Sequence, residues 1–130
     1  MLHKLIEDTT PSVETAKGLT FTRHFMTSGV HPFDTVKWVK RDAKITDPDG
    51  KIVFEQKAVE APEFWSYTAV NVVANKYFRG GLGTPQREQS VKHLVSRVVD
   101  KITEWGTAGE YWASKEDGSH FHDELMYILI

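Results

Sequence analysis

Two stretches constrain the fold more than any other part of the chain: residues 61–80 (APEFWSYTAVNVVANKYFRG) and 84–106 (TPQREQSVKHLVSRVVDKITEWG). Each has a proline at a first helical turn and closes on glycine, and only Gly81, Leu82 and Gly83 separate them. This punctuation predicts two helices, about 62–79 and 85–105, joined as a helical hairpin. In the first, Ala69, Val70, Val72, Val73 and Ala74 leave only Asn71 and Asn75 as polar interruptions, the pattern of a helix buried nearly all round. In the second, Val91, Leu94, Val95, Val98, Ile102 and Trp105 recur at helical spacing, with Lys92, Ser96, Asp100 and Lys101 on other faces. Thr84 is its expected amino-terminal cap with Pro85 just inside. Glu88 and Lys92 form a favourably ordered i,i+4 pair, and Gly106 stops the helix.

Upstream, residues 35–46 alternate, with Val36 and Trp38 on one face and Val39, Arg41, Ala43 and Ile45 on the other. Residues 51–55 then set Ile52 and Phe54 against Val53. Between them Asp47-Pro48-Asp49-Gly50 presets a turn dihedral with proline and accepts a left-handed position with glycine, so a β-hairpin is expected over about 35–55. A lone two-stranded hairpin is marginal in water and must lean on the helices or on further protein. Residues 20–24 alternate weakly, as a short strand would. Downstream, Ser114 with Asp117 three residues on forms a partial capping box for a third helix, about 115–130, with Phe121, Leu125, Ile128 and Leu129 as its apolar face. That helix runs out at Ile130 without a stop signal and reads as truncated. Residues 1–17 lack periodicity and read as a mobile leader before a single domain, 18–130. The expected class is α+β, mainly α.

Composition removes several functions. Sixteen Lys and Arg against eighteen Asp and Glu give a net charge of -2, with no dense basic block, so nucleic acid is not an expected partner. The absence of cysteine excludes disulfides, thiolate metal sites and thiol catalysis by this chain. No apolar run approaches the roughly 20 residues of a membrane span, and residues 1–10 lack a signal-peptide core. A cytoplasmic protein without membrane contact is expected.

The chemical candidates are few. His120 and His122 beside Asp123 are two apart on a helix and point in different directions, unlike an i,i+4 ligand pair, so they read as surface histidines and no metal ligand is assigned. Asp8, Glu14, Glu55, Glu60 and Glu63 show no spacing that fixes a carboxylate pair, so no catalytic residue is named. Gly80, Gly81 and Gly83 resemble a phosphate cradle superficially. They follow a helix rather than a strand and lack the Lys-Ser or Lys-Thr ending, which makes them an interhelical turn. Lys76, Tyr77 and Arg79 close the first helix, where cations offset the dipole. Their functional reading is an interdomain or anion contact in which Arg79, with Arg87 across the turn, binds a carboxylate of another domain.

Taken together, GVHPFD (29–34), WVKRDA (38–43), GKIVFE (50–55), VEAPEFWS (59–66), VANKYFRG (73–80), REQSVKHLVSRVVDKI (87–102) and DELMYILI (123–130) resemble the amino-terminal region of class II, cobalamin-dependent ribonucleotide reductases. The resemblance covers the chain from about Gly18 onward. It implies an enzyme that reduces ribonucleotides to deoxyribonucleotides for DNA synthesis, using adenosylcobalamin to generate a thiyl radical on a barrel cysteine. It also implies that the catalytic cysteines, substrate loops and cobalamin site lie downstream of the third helix. No catalytic, cofactor-binding or metal residue is therefore carried over, and this chain alone is expected to be inactive and to bind no cobalamin. Its expected partner is the catalytic barrel, in the same chain or, for a split gene, in a separate one, with the parent enzyme homodimeric. Val39-Lys40-Arg41-Asp42 also resembles the opening of an ATP-cone, in which Lys40 and Arg41 would contact triphosphate. Ala43 in place of glycine and the long hairpin that follows confine that likeness to a few residues. A plain protein-interaction module is the remaining alternative.

Overall fold

The computed structural model describes residues 17–130; the leader expected over 1–17 lies outside them except for its last residue. In chain order the elements are a 3-10 turn (Pro32–Thr35), strands β1 (Trp38–Thr46) and β2 (Ile52–Pro62), and helices α1 (Tyr67–Lys76), α2 (Val91–Ala108) and α3 (Lys115–Leu129). The class is α+β, with one antiparallel hairpin followed by three helices.

The hairpin turn lies where its chemistry predicts. Asp47 Oδ1 accepts from the amides of Asp49 (3.0 Å) and Lys51 (2.8 Å), and Gly50 takes a φ of 83°. The ladder outruns the expected 35–55: Trp38 pairs with Pro62 and Val39 with Ala61. Pro62, expected to start a helix, instead ends a strand, a position where its missing amide costs no ladder bond. Between the Arg41–Val59 and Ala43–Gln56 pairs the register slips, leaving Lys57 and Ala58 opposite Asp42. Ala58 sits at a φ of 55° in this bulge, and its amide donates to Asp42 Oδ1 at 2.9 Å.

Both helix starts move later than proline and glycine suggest. Ser66 caps α1 by accepting from the amide of Ala69 (3.1 Å), and Ser90 caps α2 by accepting from that of Lys92 (3.1 Å). Thr84 is no cap; its hydroxyl donates to the Gly81 carbonyl at 2.7 Å inside a turn. Residues before Ser90 are drawn from helix by tertiary bonding, since the Glu60 amide donates to the Gln89 carbonyl (2.9 Å) and Ser90 Oγ donates to Glu60 Oε1 (2.6 Å). Gly106 does not stop α2. It is buried within the helix because the Trp112 ring occupies the space of a side chain: an added Cβ would lie 2.1 Å from Trp112 Cζ2. Gly118 of α3 faces the same ring, with 2.8 Å to Cδ1. Trp112 is thus held between two helices by two glycines.

The packed helical pair is α2 with α3, while α1 lies on the β-hairpin, so the expected α1–α2 helical hairpin is not the organising unit. The core joins Ala43, Phe54, Val59 and Ala61 of the strands to Val70 and Ala74 of α1, Phe78, the Val91, Val95, Val99 stripe of α2, and Met126 of α3. At about 1.5–3 kcal/mol for each fully buried large apolar side chain, that stripe outweighs local propensity in holding α2. Three expectations shift here. α1 buries one face only, leaving Val72 43% and Tyr67 69% exposed. Trp105 falls off the α2 stripe, and Ile128 and Leu129 of α3 face outward in place of the buried Met126.

Residues 20–24 form no strand. Residues 19–26 run extended across α3, whose carboxylates supply the acceptors a neighbouring strand would. Asp117 Oδ1 accepts from the Phe21 amide (2.8 Å), and the two Glu124 oxygens accept from the Phe25 (2.8 Å) and Met26 (2.9 Å) amides. Arg23 pairs with Asp123 at 2.7 Å.

Candidate interface

The segment between α1 and α2 is held by Arg87. Its guanidinium donates from Nη1 to the carbonyls of Phe78 and Gly80 (both 3.0 Å), from Nη2 to that of Ala74, and from Nε (3.0 Å) and Nη2 (2.8 Å) to Gln56 Oε1. All five donor hydrogens are committed, so Arg87 closes the carboxyl end of α1 and ties it to β2. Gly80, at a φ of 85°, passes so close to the Gln86 carbonyl that a Cβ would lie 2.3 Å from its oxygen. This glycine therefore serves a chain crossing, and the loop is the turn its context predicts.

Glu88 binds the turn to α2. Its oxygens accept from Arg97 Nε (2.6 Å) and from the Arg79 amide (3.0 Å) instead of from Lys92. Burial opposes its ionisation, but these donors outweigh burial and hold the carboxyl below the usual carboxylate range. Lys92 turns to Glu60 (3.4 Å) and lies over the Trp38 ring at 4.7 Å.

Beyond this bracket lies an open groove of about 280 Å³ lined by Arg79, Arg97, Val98, Lys101, Ile102 and Trp105. Arg97 Nη2 also donates to the Tyr77 carbonyl (3.1 Å), and Lys101 reaches Glu104 at 2.6 Å. The Arg79 guanidinium has no hydrogen-bond or ion-pair partner among the described residues. Trp105 is 63% and Tyr77 60% exposed. A second exposed apolar region lies at the other end of the molecule, where Phe64, Val36, Tyr127 and Ile130 line a cleft beside the outward-facing Ile128. There Tyr127 stacks on Phe25 at 4.9 Å, and Trp65 Nε1 donates to the Ile130 carbonyl at 2.8 Å.

Of the residues singled out by sequence, Tyr77 and Arg79 stand at or beside the groove and Lys76 is exposed nearby at the end of α1, whereas Arg87 is turned inward. The structure does not bring the Arg79 and Arg87 side chains together; Arg97 and Lys101 line the groove beside Arg79 instead. Helical register was the signal for them, since residues 97, 98, 101, 102 and 105 share one face of α2. Lys40 and Arg41, as neighbours on a strand, point to opposite faces. Arg41 donates to the carbonyls of Trp65 and Glu63 and stacks over the Tyr67 ring at 4.9 Å, so the pair does not converge on a phosphate. The histidines read as surface groups are fastened: His120 Nδ1 lies 2.6 Å from the Phe21 carbonyl, and His122 bridges Asp100 (2.8 Å) and Asp123 (3.1 Å).

The family model described as class II vitamin B12-dependent ribonucleotide reductase matches residues 39–130. The chain belongs to this family. Its relatives include the vitamin B12-dependent ribonucleotide reductase of Streptomyces coelicolor, 50% identical over 115 residues, which cover 88% of this chain and 12% of that protein. The Streptomyces avermitilis enzyme is 48% identical over 116 residues with the same coverage, and the Rhodopirellula baltica enzyme 42% identical over 115 residues, 87% of this chain and 11% of the relative. The chain therefore spans about an eighth of the length of the reductases it matches, and corresponds to their amino-terminal part.

For a class II reductase the cofactor named by the family is vitamin B12, and the donor set of the described residues does not fit its cobalt. His24, His31 and His93 are exposed, His122 has both ring nitrogens engaged, and His120 is held by Phe21 and faces Glu116 at 3.5 Å. With no cysteine in the chain, thiol chemistry also has no seat here. Among the described residues no helix is long and apolar enough to cross a membrane.

Proposed function

We propose that this chain is the non-catalytic amino-terminal domain of an adenosylcobalamin-dependent enzyme that reduces ribonucleotides to deoxyribonucleotides for DNA synthesis, and that it packs beside the catalytic barrel of that enzyme in the cytoplasm. The observation that carries the reading is the family match over residues 39–130, in a chain without a cysteine to carry a radical. The exposure of Phe64, Tyr67, Trp105 and Ile128 supports it, because large apolar groups in separate patches fit a domain with neighbours. The radical, the reductant thiols and cobalamin belong to the remainder of the reductase, and the whole enzyme works as a homodimer. Nucleotides, on this reading, bind the remainder too.

The test is reconstitution with the rest of the reductase as a separate polypeptide. Co-elution in a 1:1 complex is expected, with ribonucleotide turnover restricted to preparations that contain the catalytic chain. Turnover by the 130-residue chain alone, supplied with adenosylcobalamin and a dithiol, would overturn the proposal.

A further inference from the structure

The groove between the end of α1 and the outer face of α2 combines cations with an apolar floor. Its lining holds three cations, Arg79, Arg97 and Lys101, and no carboxylate, in a chain whose acidic residues outnumber its basic ones by eighteen to sixteen. Glu88 and Glu104 hold Arg97 and Lys101 from its margins, which leaves Arg79 as the groove cation without a counter-charge among the described residues. The floor is apolar: Val98, Ile102 and the exposed indole of Trp105. A ligand complementary to this surface carries negative charge beside an apolar group.

We infer that this groove docks an acidic segment of the catalytic remainder of the reductase, with a carboxylate on Arg79 and an apolar side chain against Trp105. This rests on the proposed function and specifies which face meets the remainder of the enzyme. Three features favour a polypeptide over a small anion. The groove is open, whereas small-molecule sites enclose most of their ligand. Its exposed lining residues include Arg79 and Trp105, with Tyr77 exposed beside it, and Arg, Trp and Tyr are the types that concentrate binding energy at protein interfaces. Finally, the backbone beneath the groove is fixed, because the Arg79 amide and Arg97 both donate to Glu88 and Arg97 also donates to the Tyr77 carbonyl, so only the Arg79 side chain has to order on docking.

The experiment is calorimetric titration of the catalytic chain with this chain at 0.05 and 0.5 M NaCl, comparing wild type with Arg79→Glu, Lys101→Glu and Trp105→Ala. These side chains lie at the surface, and circular dichroism checks that each variant folds. Arg79→Glu is expected to weaken the complex about tenfold or more at low salt, with a smaller effect at high salt, as screening of a rim charge requires. Trp105→Ala weakens it at both salt concentrations, Arg79→Lys retains part of the affinity, and Lys51→Glu at the distant hairpin turn leaves it unchanged. Wild-type affinity in both Arg79→Glu and Trp105→Ala would overturn the inference while leaving the proposed function standing. Failure of the wild-type chain to form any complex would remove both. A parallel titration with ATP gives the remaining outcome: binding that Arg79→Glu abolishes, with the complex untouched, makes the groove a small-anion site and overturns the docking inference.

Discussion

At the scale of single residues, Arg87 shows how much structure one planar cation can organise. It satisfies carbonyls at the end of α1 that the helix leaves without partners, and it carries no spare donor for a ligand. Arg87→Ala removes the Arg87 donors from the Ala74, Phe78 and Gly80 carbonyls and from Gln56 Oε1 in a partly buried site. We expect a loss of about 2–3 kcal/mol in urea denaturation at neutral pH. Arg87→Lys recovers little of it, because three donors on a point charge cannot span the fork. Gly106→Ala sets two effects in opposition: better helix propensity gains about 1 kcal/mol, and an atom driven against the Trp112 ring costs about 1–3 kcal/mol or more. At 2.1 Å the clash wins, so the variant is destabilised and its tryptophan emission changes as Trp112 is displaced. The sign reverses for Ala58→Gly. Ala58 holds a left-handed φ of 55° that glycine adopts freely, and a gain of about 0.5–1 kcal/mol is expected in the same denaturation experiment.

At the scale of elements, the extended segment across α3 is fastened by carboxylates, and acid should release it. Burial opposes ionisation of Asp123 and Glu124, but Arg23 and His122 around the first, and the Phe25 and Met26 amides on the second, hold both below the usual carboxylate range. Asp117 is lowered by the Ser114 hydroxyl and the Phe21 amide. Since the folded pKa values lie below the unfolded ones, about 3.9 for Asp and 4.3 for Glu, the stabilisation is complete above that range. It is lost as pH falls through the folded values. We expect denaturation midpoints to drop steeply from about pH 4 downward, and the double variant Asp123→Asn, Glu124→Gln to be less stable at neutral pH with a flatter acid limb.

Such a fastening explains what the sequence disclosed and what it hid. The hairpin turn, Ser114 with Asp117, and the span of α3 were legible because their signals are local: an Asp-Pro-Asp-Gly turn and a serine cap state their own geometry. The starts of α1 and α2 were misplaced because Pro62 and residues 84–89 answer to partners far along the chain, on β1 and β2. Gly106 serves a close tertiary approach and not a helix stop, since the Trp112 ring, six residues on and beyond the end of α2, folds back into the space of its side chain. In the groove, Arg79 was legible as a cation at a helix end. Its companions Arg97 and Lys101 required the register of α2, and the inward turn of Arg87 required the fold.

At the scale of the whole molecule, two ends are finished differently. The core gathered on the α2 stripe is closed around Val91, Val95 and Val99, whereas Phe64 and Ile128 at one end and Trp105 at the other face outward. A domain docked at both ends would show both as protected on assembly. Hydrogen exchange of the reconstituted reductase is expected to slow at residues near Phe64 and along the outer face of α2, with the hairpin turn at 47–50 unchanged. Equal exchange in free and mixed samples would contradict that arrangement.

The segment across α3 also bears on the order in which the chain assembles. Its hydrogen bonds join residues 96 to 100 positions apart, from Phe21 to Asp117 and from Arg23 to Asp123, whereas the hairpin ladder begins at the Thr46–Ile52 pair, across residues 47–51. Closing the longer loop has the greater entropic cost and gains nothing until α3 already stands on α2. The segment is therefore the last piece to seat. Kinetically, Glu124→Gln should leave the folding rate near that of wild type and speed unfolding, a φ-value close to zero, so that the first step of unfolding is the peeling of residues 19–26 from the outside of a core that is still intact.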